Sequence, residues 1–195
     1  MRSLIAAVAA AVLCGSLLPT PAAAEPGPNA QQSRELLSKR AGSPAELQRQ
    51  VELQLKLYPG GEQTAANEVA YDNGKFVITF AQPADAPDAS GVGILGAPDC
   101  PSGWFCFYDY ANYGYPRGKL SDCGAQDLSQ YGWNDRAESQ HNNTYTGVSF
   151  FNHIGAFHGY FSISSSDQEL AFASSLTAAN FDYPNMIDHV SRFCG

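Results

Sequence analysis

The sequence predicts an all-β domain over residues 99–195, preceded by a small helix plus β-hairpin unit over residues 43–82. In the longer region, short apolar runs are separated by glycine, asparagine and aspartate, and few stretches are long enough for an ordinary helix. Four cysteines lie in the same region. Short strands punctuated by turn residues are typical of a β-sandwich or barrel, and cysteine pairs stabilise such a domain when it is small.

The first 24 residues have the three parts of a secretory signal. Arg2 supplies a positive charge, Leu4–Leu18 form an apolar run, and Ala22–Ala24 are small residues before a cleavage point at Glu25. The apolar run is shorter than the ~20 residues that span a bilayer. We therefore expect residues 1–24 to be a signal peptide and the protein to be secreted.

Export changes the interpretation of the cysteines. Cys14 leaves with the signal, and Cys100, Cys106, Cys123 and Cys194 remain. An even number of cysteines in an oxidising compartment predicts two disulfides, with three possible pairings. We favour Cys100–Cys106 with Cys123–Cys194. The alternative of a zinc site lacks a Cys-x-x-Cys pair or matching histidine spacing.

The balance of charge excludes two classes of partner. The net charge of the sequence is −8, and the sequence pI is about 4.8. An acidic protein has too few Lys and Arg side chains to neutralise phosphates and release their counterions. Nucleic acid and anionic membranes are therefore not expected partners. After Leu18 there is no apolar stretch long enough to cross a bilayer.

Residues 25–42 are polar and are expected to be flexible, apart from a short helix over Ser33–Arg40. A second helix is predicted to follow this segment. Ser43-Pro44-Ala45-Glu46 has the pattern of a capping box, and Pro59-Gly60-Gly61 ends the element. Apolar residues from Leu47 to Leu57 fit one helical face but also alternate as in a strand. The cap and the Leu, Gln, Glu and Lys content favour the helix.

A β-hairpin follows the helix. Asp72-Asn73-Gly74 lies between alternating apolar residues that run from Val69 to Phe80, and Asn-Gly in this setting is a strong hairpin signal. The helix plus hairpin is too small to be very stable alone. We expect it to pack on the following domain or to act as a propeptide-like segment. Residues 83–98, rich in Pro, Ala and Gly, are predicted to be a linker.

An aromatic, a glycine and a serine are spaced as in a known β-motif. Phe107 is followed seven residues later by Gly114, and Ser139 comes later. This spacing resembles the βγ-crystallin Greek-key motif, and a weaker copy begins at Phe150. The resemblance implies a double Greek-key domain over residues 99–195, in which the glycine permits a folded hairpin and the serine hydroxyl ties it down.

The cysteine-framed segment narrows the resemblance. Its residues are Cys100-Pro-Ser-Gly-x-x-Cys106, Asp122-Cys123, Tyr131-Gly132, Asn134-Asp135 and Arg192-Phe193-Cys194. Together they resemble peptidase inhibitor family I36, secreted proteins of actinobacteria typified by the Streptomyces metalloproteinase inhibitor. The resemblance implies inhibition of an extracellular, thermolysin-like metalloprotease, with the protein acting as a monomer.

Inhibitors of this kind offer a rigid loop to the protease, and the resemblance assigns no residue to that loop. Two loops with an aromatic side chain are candidates: Asn142–Thr146 around Tyr145 and Ala178–Asn185 around Phe181. Either could equally be an ordinary turn between strands.

A non-inhibitory extracellular βγ-crystallin module, binding calcium weakly or acting in surface binding, is the alternative. Asn134, Asp135 and Ser139 match the calcium-binding pattern of many βγ-crystallins, although Glu138 stands where that pattern has a hydroxyl residue. No catalytic residue is predicted, because the four histidines and Ser164–Ser166 lack the context of a known catalytic motif. Apart from calcium, no cofactor is expected.

Overall fold

Residues 29–83, 98–154, 157–163, 170–171 and 185–194 are described by a computed structural model of the chain. The predicted signal peptide and residues 84–97 of the predicted linker lie outside the described residues. Within the described residues there are two helices, α1 (Ala30–Ser38) and α2 (Pro44–Leu57). The strands are β1 (Glu62–Ala65), β2 (Glu68–Tyr71), β3 (Phe76–Thr79), β4 (Phe105–Tyr110), β5 (Gly114–Leu120), β6 (Gly124–Asp127), β7 (Ser139–Asn142), β8 (Val148–Ile154), β9 (Phe157–Ile163), β10 (Leu170–Ala171) and β11 (His189–Arg192).

Helix α2 forms where its cap and periodicity predict it. The Ser43 hydroxyl accepts a hydrogen bond from the Glu46 amide at 3.2 Å, and the helix buries Leu47 and Val51. Its C-terminal half buries Gln54, whose side-chain amide donates to the Tyr131 carbonyl at 2.9 Å. The helix thus contacts the β-domain through a polar side chain as well as apolar ones.

Helix α1 differs from the expectation of a flexible segment with a helix at Ser33–Arg40. It begins at Ala30 because Asn29 and Gln32 form a reciprocal capping box. Leu37 is buried in the main core, so the helix is stabilised by packing as well as by its cap.

The strands form two antiparallel sheets. The larger sheet has the order β1-β2-β3-β5-β4-β7-β10, and the smaller has the order β6-β11-β8-β9. The predicted hairpin is β2–β3, with Asp72 and Asn73 at positive φ in its turn. The prediction of an all-β domain after a helix plus β-hairpin unit is confirmed.

The β2–β3 hairpin is part of the larger sheet of the β-domain. Strand β3 pairs with β5 from Phe76–Leu120 to Thr79–Arg117, so residues 43–82 do not form a separate layer. The larger of two apolar clusters among the described residues collects side chains from both helices and both sheets. Its members include Leu37, Val51, Phe76, Ile78, Phe105, Phe107, Trp133, Phe150 and Val190.

The β4–β5 hairpin carries the motif noted in the sequence. Ser139 accepts a hydrogen bond from the Tyr113 amide at 2.9 Å and donates one to the Tyr110 carbonyl at 2.7 Å. The serine therefore ties the hairpin as the βγ-crystallin resemblance implies. The positive φ angles of the turn belong to Asn112 and Tyr113 rather than to Gly114. Asparagine tolerates this region, and the serine bond holds the tyrosine in it.

Candidate functional site

A short disulfide-closed loop opens the β-domain. Cys100 and Cys106 are bonded and are only 5% and 0% exposed. Between them, residues 101–103 are exposed, and Gly103 takes a φ of 85° that suits glycine. The bridge thus fixes an exposed turn on a buried base.

Asp99 anchors the start of this loop to the sheet. Its carboxylate accepts hydrogen bonds from the Tyr108 and Tyr115 hydroxyls and pairs with Arg117 at 3.0 Å. Burial, reinforced by the Asp99 carboxylate, raises the pKa of both tyrosines. The phenols therefore remain protonated hydrogen-bond donors to Asp99 at and above neutral pH.

A second loop, Asn142–Thr146, connects β7 in the larger sheet with β8 in the smaller one, and we call it loop 142–146. The Asn142 side-chain amide donates to the Thr146 carbonyl at 2.9 Å. Its oxygen accepts from the Thr144 amide at 3.1 Å and from the Thr144 hydroxyl at 2.6 Å. The side chains of the loop thus satisfy its own backbone, as asparagine and threonine do in turns.

Loop 142–146 is also fastened to the disulfide-closed loop. The Asn143 carbonyl accepts from the Gly103 amide at 2.8 Å, and the Asn143 amide donates to the Trp104 carbonyl at 3.0 Å. The Asn143 side chain donates to the Cys100 carbonyl at 2.8 Å. These three bonds make the two loops one rigid surface.

Tyr145 projects from this surface with 92% of the residue exposed. Its neighbours Thr144 and Thr146 are held by the hydrogen bonds of the loop, and Arg192 donates through Nε to the Thr146 hydroxyl at 2.9 Å. We name residues 100–106, loop 142–146 and Arg192 the braced end. Of the two predicted inhibitory loops, loop 142–146 lies within the described residues, whereas Phe181 of the other loop lies outside them.

The second disulfide joins Cys123 to Cys194, so the cysteines pair as favoured from the sequence. Cys194 comes two residues after Arg192, and both cysteines of this bridge are exposed. The Phe193 amide donates to the Gly147 carbonyl at 2.9 Å. The C-terminal segment is thereby held beside loop 142–146.

Of the predicted calcium residues, Ser139 has its side-chain oxygen in hydrogen bonds with the protein backbone. The Ser139 hydroxyl ties the β4–β5 hairpin, as described above. Glu138 accepts through one carboxylate oxygen from the Ala111 amide at 3.1 Å and through the other from the Asn185 side chain at 2.9 Å. The oxygens of Glu138 and Ser139 thus already take part in hydrogen bonds within the protein. Calcium binding by Asn134, Asp135 and Ser139 stays the alternative prediction.

Asp135 lies in the same segment with a φ of 54°. Burial and, to a smaller extent, the nearby Asp188 carboxylate raise the pKa of its side chain. Among the described residues no group of three or more His, Cys, Asp or Glu side chains is placed to hold a metal ion.

Arg136, the residue after Asp135, forms a buried ion pair with Asp109 that the sequence did not predict. Arg136 donates to both oxygens of Asp109 at 2.9 and 3.0 Å, and its guanidinium lies 4.5 Å from the centre of the Trp133 ring. Both partners are nearly inaccessible. The pair is bidentate, which is the strong geometry for arginine and a carboxylate.

The sequence predicted the loop Asn142–Thr146 as a candidate but assigned no role to Arg192 in the braced end. Asn142-Asn143-Thr144 has the composition of a turn closed by its own side chains, so the loop had a local signal. Arg192 has no local signal, because its partners Gly103 and Ser121 are distant in the chain.

No helix among the described residues has the length and apolar character needed to traverse a bilayer. No curated protein matches the sequence. Two solved structures are similar to part of the chain. One, described as "Evolution of the eye lens beta-gamma-crystallin domain fold", has 18% identity and a TM-score of 0.40, covering 51% of this chain and 95% of that one. The other is spherulin 3a from Physarum polycephalum, with 17% identity and a TM-score of 0.35, covering 51% and 94%.

A family model matches the part of the chain that includes both the disulfide-closed loop and loop 142–146. Its matched residues are 95–161, which also contain the serine-tied hairpin. The family is described as peptidase inhibitor family I36, so the resemblance first drawn from the cysteine-framed segment is confirmed over these residues.

Proposed function

We propose that this protein is a secreted protease inhibitor that presents loop 142–146 to the active-site cleft of its target. The observation that carries the proposal is the 92% exposure of Tyr145 on a loop whose backbone is held from both sides. The match of residues 95–161 to an inhibitor family supports a protease as the partner and an inhibitor rather than an enzyme.

The hydrogen bonds of the loop favour tight binding. A loop that already has its bound shape loses little conformational entropy when it docks. In loop 142–146 the bonds of Asn142, Asn143 and Arg192 fix the backbone around one free side chain. An exposed tyrosine on a rigid support is also typical of a residue that dominates a protein interface.

The chemistry of the loop supports a target with an apolar pocket. Residues 142–146 are Asn-Asn-Thr-Tyr-Thr and carry no charged side chain. A trypsin-like pocket, with an aspartate at its base, would leave its charge unpaired against this loop. The apolar ring of Tyr145 and the resemblance to metalloprotease inhibitors together favour a thermolysin-like metalloprotease.

The disulfides support an extracellular site of action. Two bridges persist in an oxidising compartment and are rare in the cytosol. A protein that meets secreted proteases has to work in that compartment, and the bridges stabilise the same surface that would contact the target.

Titration of a thermolysin-like protease with the purified protein tests the proposal. We expect stoichiometric loss of protease activity at micromolar inhibitor. Tyr145→Ala should weaken inhibition, whereas Leu57→Ala, an exposed apolar residue on α2, is the matched control and should not.

Absence of inhibition across metallo-, serine and cysteine proteases would overturn the inhibitor function. Inhibition of a serine protease alone would retain the inhibitor function and overturn the metalloprotease class. Equal inhibition by the wild type and Tyr145→Ala would move the inhibitory loop elsewhere.

A further inference from the structure

The two disulfides differ in their accessibility. Cys100 and Cys106 are buried, whereas Cys123 and Cys194 are both exposed. Thiol exchange requires a thiolate to reach a sulfur atom, so access decides which bridge reacts first. A thiol in solution should therefore open Cys123–Cys194 before Cys100–Cys106.

Arg192 connects the exposed bridge to loop 142–146. Its guanidinium donates to the Thr146 hydroxyl at 2.9 Å, to the Ser121 carbonyl at 2.6 Å and to the Gly103 carbonyl at 3.3 Å. One planar cation thus joins loop 142–146, the disulfide-closed loop and the segment after β5. The fixed fork of arginine suits such a three-way contact better than a lysine ammonium.

The exposed bridge holds this contact from both sides. Ser121 lies two residues before Cys123, and Arg192 lies two residues before Cys194. Arg192 is also the last residue of β11, where it pairs with Gly124 and Val148. The bridge therefore adds a covalent link to the pairing of the end of β11 with the start of β6, close to the partners of Arg192.

We infer that Arg192 is a positioning residue for loop 142–146 and that the Cys123–Cys194 bridge locks it in place. Opening of the bridge by a dithiol then relaxes the loop. The inference deepens the proposed function and rests on it for its consequence, which is that the inhibitor loses potency in a reducing environment. The effect of the Cys123–Cys194 bridge on Arg192 and loop 142–146, which we call the lock, does not depend on the proposed function.

The chemistry of opening is ordinary thiol–disulfide exchange. A dithiol thiolate attacks one cysteine sulfur, the S–S bond breaks, and the other cysteine leaves as a thiolate. The second thiol of the reagent, as a thiolate, then attacks the mixed disulfide. The products are a cyclic disulfide of the reagent and two protein thiols, so two electrons pass to the protein and the two thiol protons are redistributed to the cysteines through solvent.

Hydrogen exchange on the whole protein tests the lock. Brief treatment with dilute dithiothreitol, followed by alkylation and peptide mass analysis, shows which bridge has opened. We expect Cys123–Cys194 to open first, and amide exchange in residues 143–147 to rise at least tenfold while exchange in β4 stays unchanged. Earlier opening of Cys100–Cys106, or unchanged exchange in the loop after Cys123–Cys194 opens, would overturn the inference.

Two variants separate positioning from general stability. Arg192→Lys keeps the charge but loses the fork, and it should raise loop exchange without changing the exchange of β4. Cys123→Ser combined with Cys194→Ser should reproduce the dithiol effect and be insensitive to the reagent. Arg49→Lys on α2 is the matched control, and its loop exchange should equal that of the wild type. If Arg192→Lys exchanges like the wild type, Arg192 is not the positioning residue.

Protease assays on the same samples distinguish this inference from the proposed function. Faster loop exchange with no inhibition in any state would retain the lock and overturn the inhibitor function. Inhibition that survives with equal potency and unchanged exchange after the bridge opens would retain the function and overturn the lock. Loss of potency together with faster loop exchange supports both.

Discussion

The braced end and the segment Asn134–Ser139 use the same kind of interaction for opposite purposes. In both, polar side chains form hydrogen bonds with backbone groups in or beside turns. At the braced end these bonds hold a loop outward and leave Tyr145 in solvent. In Asn134–Ser139, which we call the tying segment, Ser139 and Glu138 turn inward and fasten the β4–β5 hairpin.

The difference separates binding from stability within one small domain. A side chain that lies almost entirely in solvent, such as Tyr145, can be changed without loss of folding free energy. A buried side chain that satisfies two groups, such as Ser139, cannot. Substitutions in the two regions should therefore affect different measurements, and each of the following predictions would weaken the comparison if it failed.

The largest effect is expected from the ion pair that Arg136 of the tying segment forms with Asp109. Arg136→Ala leaves the buried Asp109 carboxylate without its partner, so the free energy of unfolding should fall by about 3–5 kcal/mol in chemical denaturation. Asp109→Asn combined with Arg136→Met removes both charges and should recover part of the loss. A decrease of less than about 1 kcal/mol in the free energy of unfolding of Arg136→Ala would mean that the ion pair contributes little to stability.

Tyr145→Ala should change binding and not stability. Loss of an aromatic residue that dominates an interface costs about 2 kcal/mol or more, which is roughly a 30-fold rise in the inhibition constant. The melting temperature should stay within about 1 °C of the wild type, because removal of an exposed side chain away from caps and cores changes stability little. Tyr145→Phe is the control and should retain most of the potency. A large fall in melting temperature would show that the side chain stabilises the loop.

Ser139→Ala should change stability and not binding. The substitution removes the hydroxyl that bonds the Tyr113 amide and the Tyr110 carbonyl, at a cost of about 1–3 kcal/mol in the free energy of unfolding. Ser102→Ala, in the exposed turn, is the matched control for loss of a hydroxyl. The folded variant should inhibit as the wild type does, and a weaker inhibitor would indicate coupling between the two regions.

Asp135→Asn should stabilise the protein slightly. The raised pKa of Asp135 means that its charged form is disfavoured in the folded state, and asparagine also accepts a positive φ. Because the site is partly open to solvent, we expect a rise of about 1 °C in the melting temperature at pH 7. The charge-dependent part should vanish at a pH below the unfolded pKa of aspartate, where the wild-type side chain is protonated. A lower melting temperature at pH 7 would show that the carboxylate makes a favourable contact.

Calcium should have the smallest effect. Because the oxygens of Glu138 and Ser139 already bond to protein groups, we expect equal melting temperatures in millimolar calcium and in chelator. Calorimetry at millimolar calcium should show no binding heat. A rise in melting temperature together with measurable heat would support the alternative of a calcium-binding module.

Local patterns predicted the elements whose determinants are local. The cap at Ser43 and the Asp72-Asn73-Gly74 turn specify α2 and the β2–β3 hairpin within a few residues. The capping box of Asn29 and Gln32 is equally local, and its spacing would have placed the start of α1 correctly. The polar strands β1 and β6 lack such a pattern, because pairing with β2 and β11 determines them.

The candidate site was predictable only in outline for the same reason. The composition of residues 142–146 indicated a turn with an exposed aromatic residue. Its rigidity depends on Asn143 reaching Cys100 and on Arg192 reaching Thr146, contacts between positions more than 40 residues apart. Such pairs arise from the arrangement of the sheets, and no local spacing encodes them.

The pairing of β3 with β5 sets a limit on how the β-domain can be isolated. A chain beginning at Asp99 would lack β3, and β5 would become an edge strand with unpaired N–H and C=O groups from Arg117 to Leu120. It would also lack Phe76 and Ile78, two fully buried core residues. Such a fragment is expected to aggregate through that edge rather than fold autonomously, even though the family match begins at residue 95.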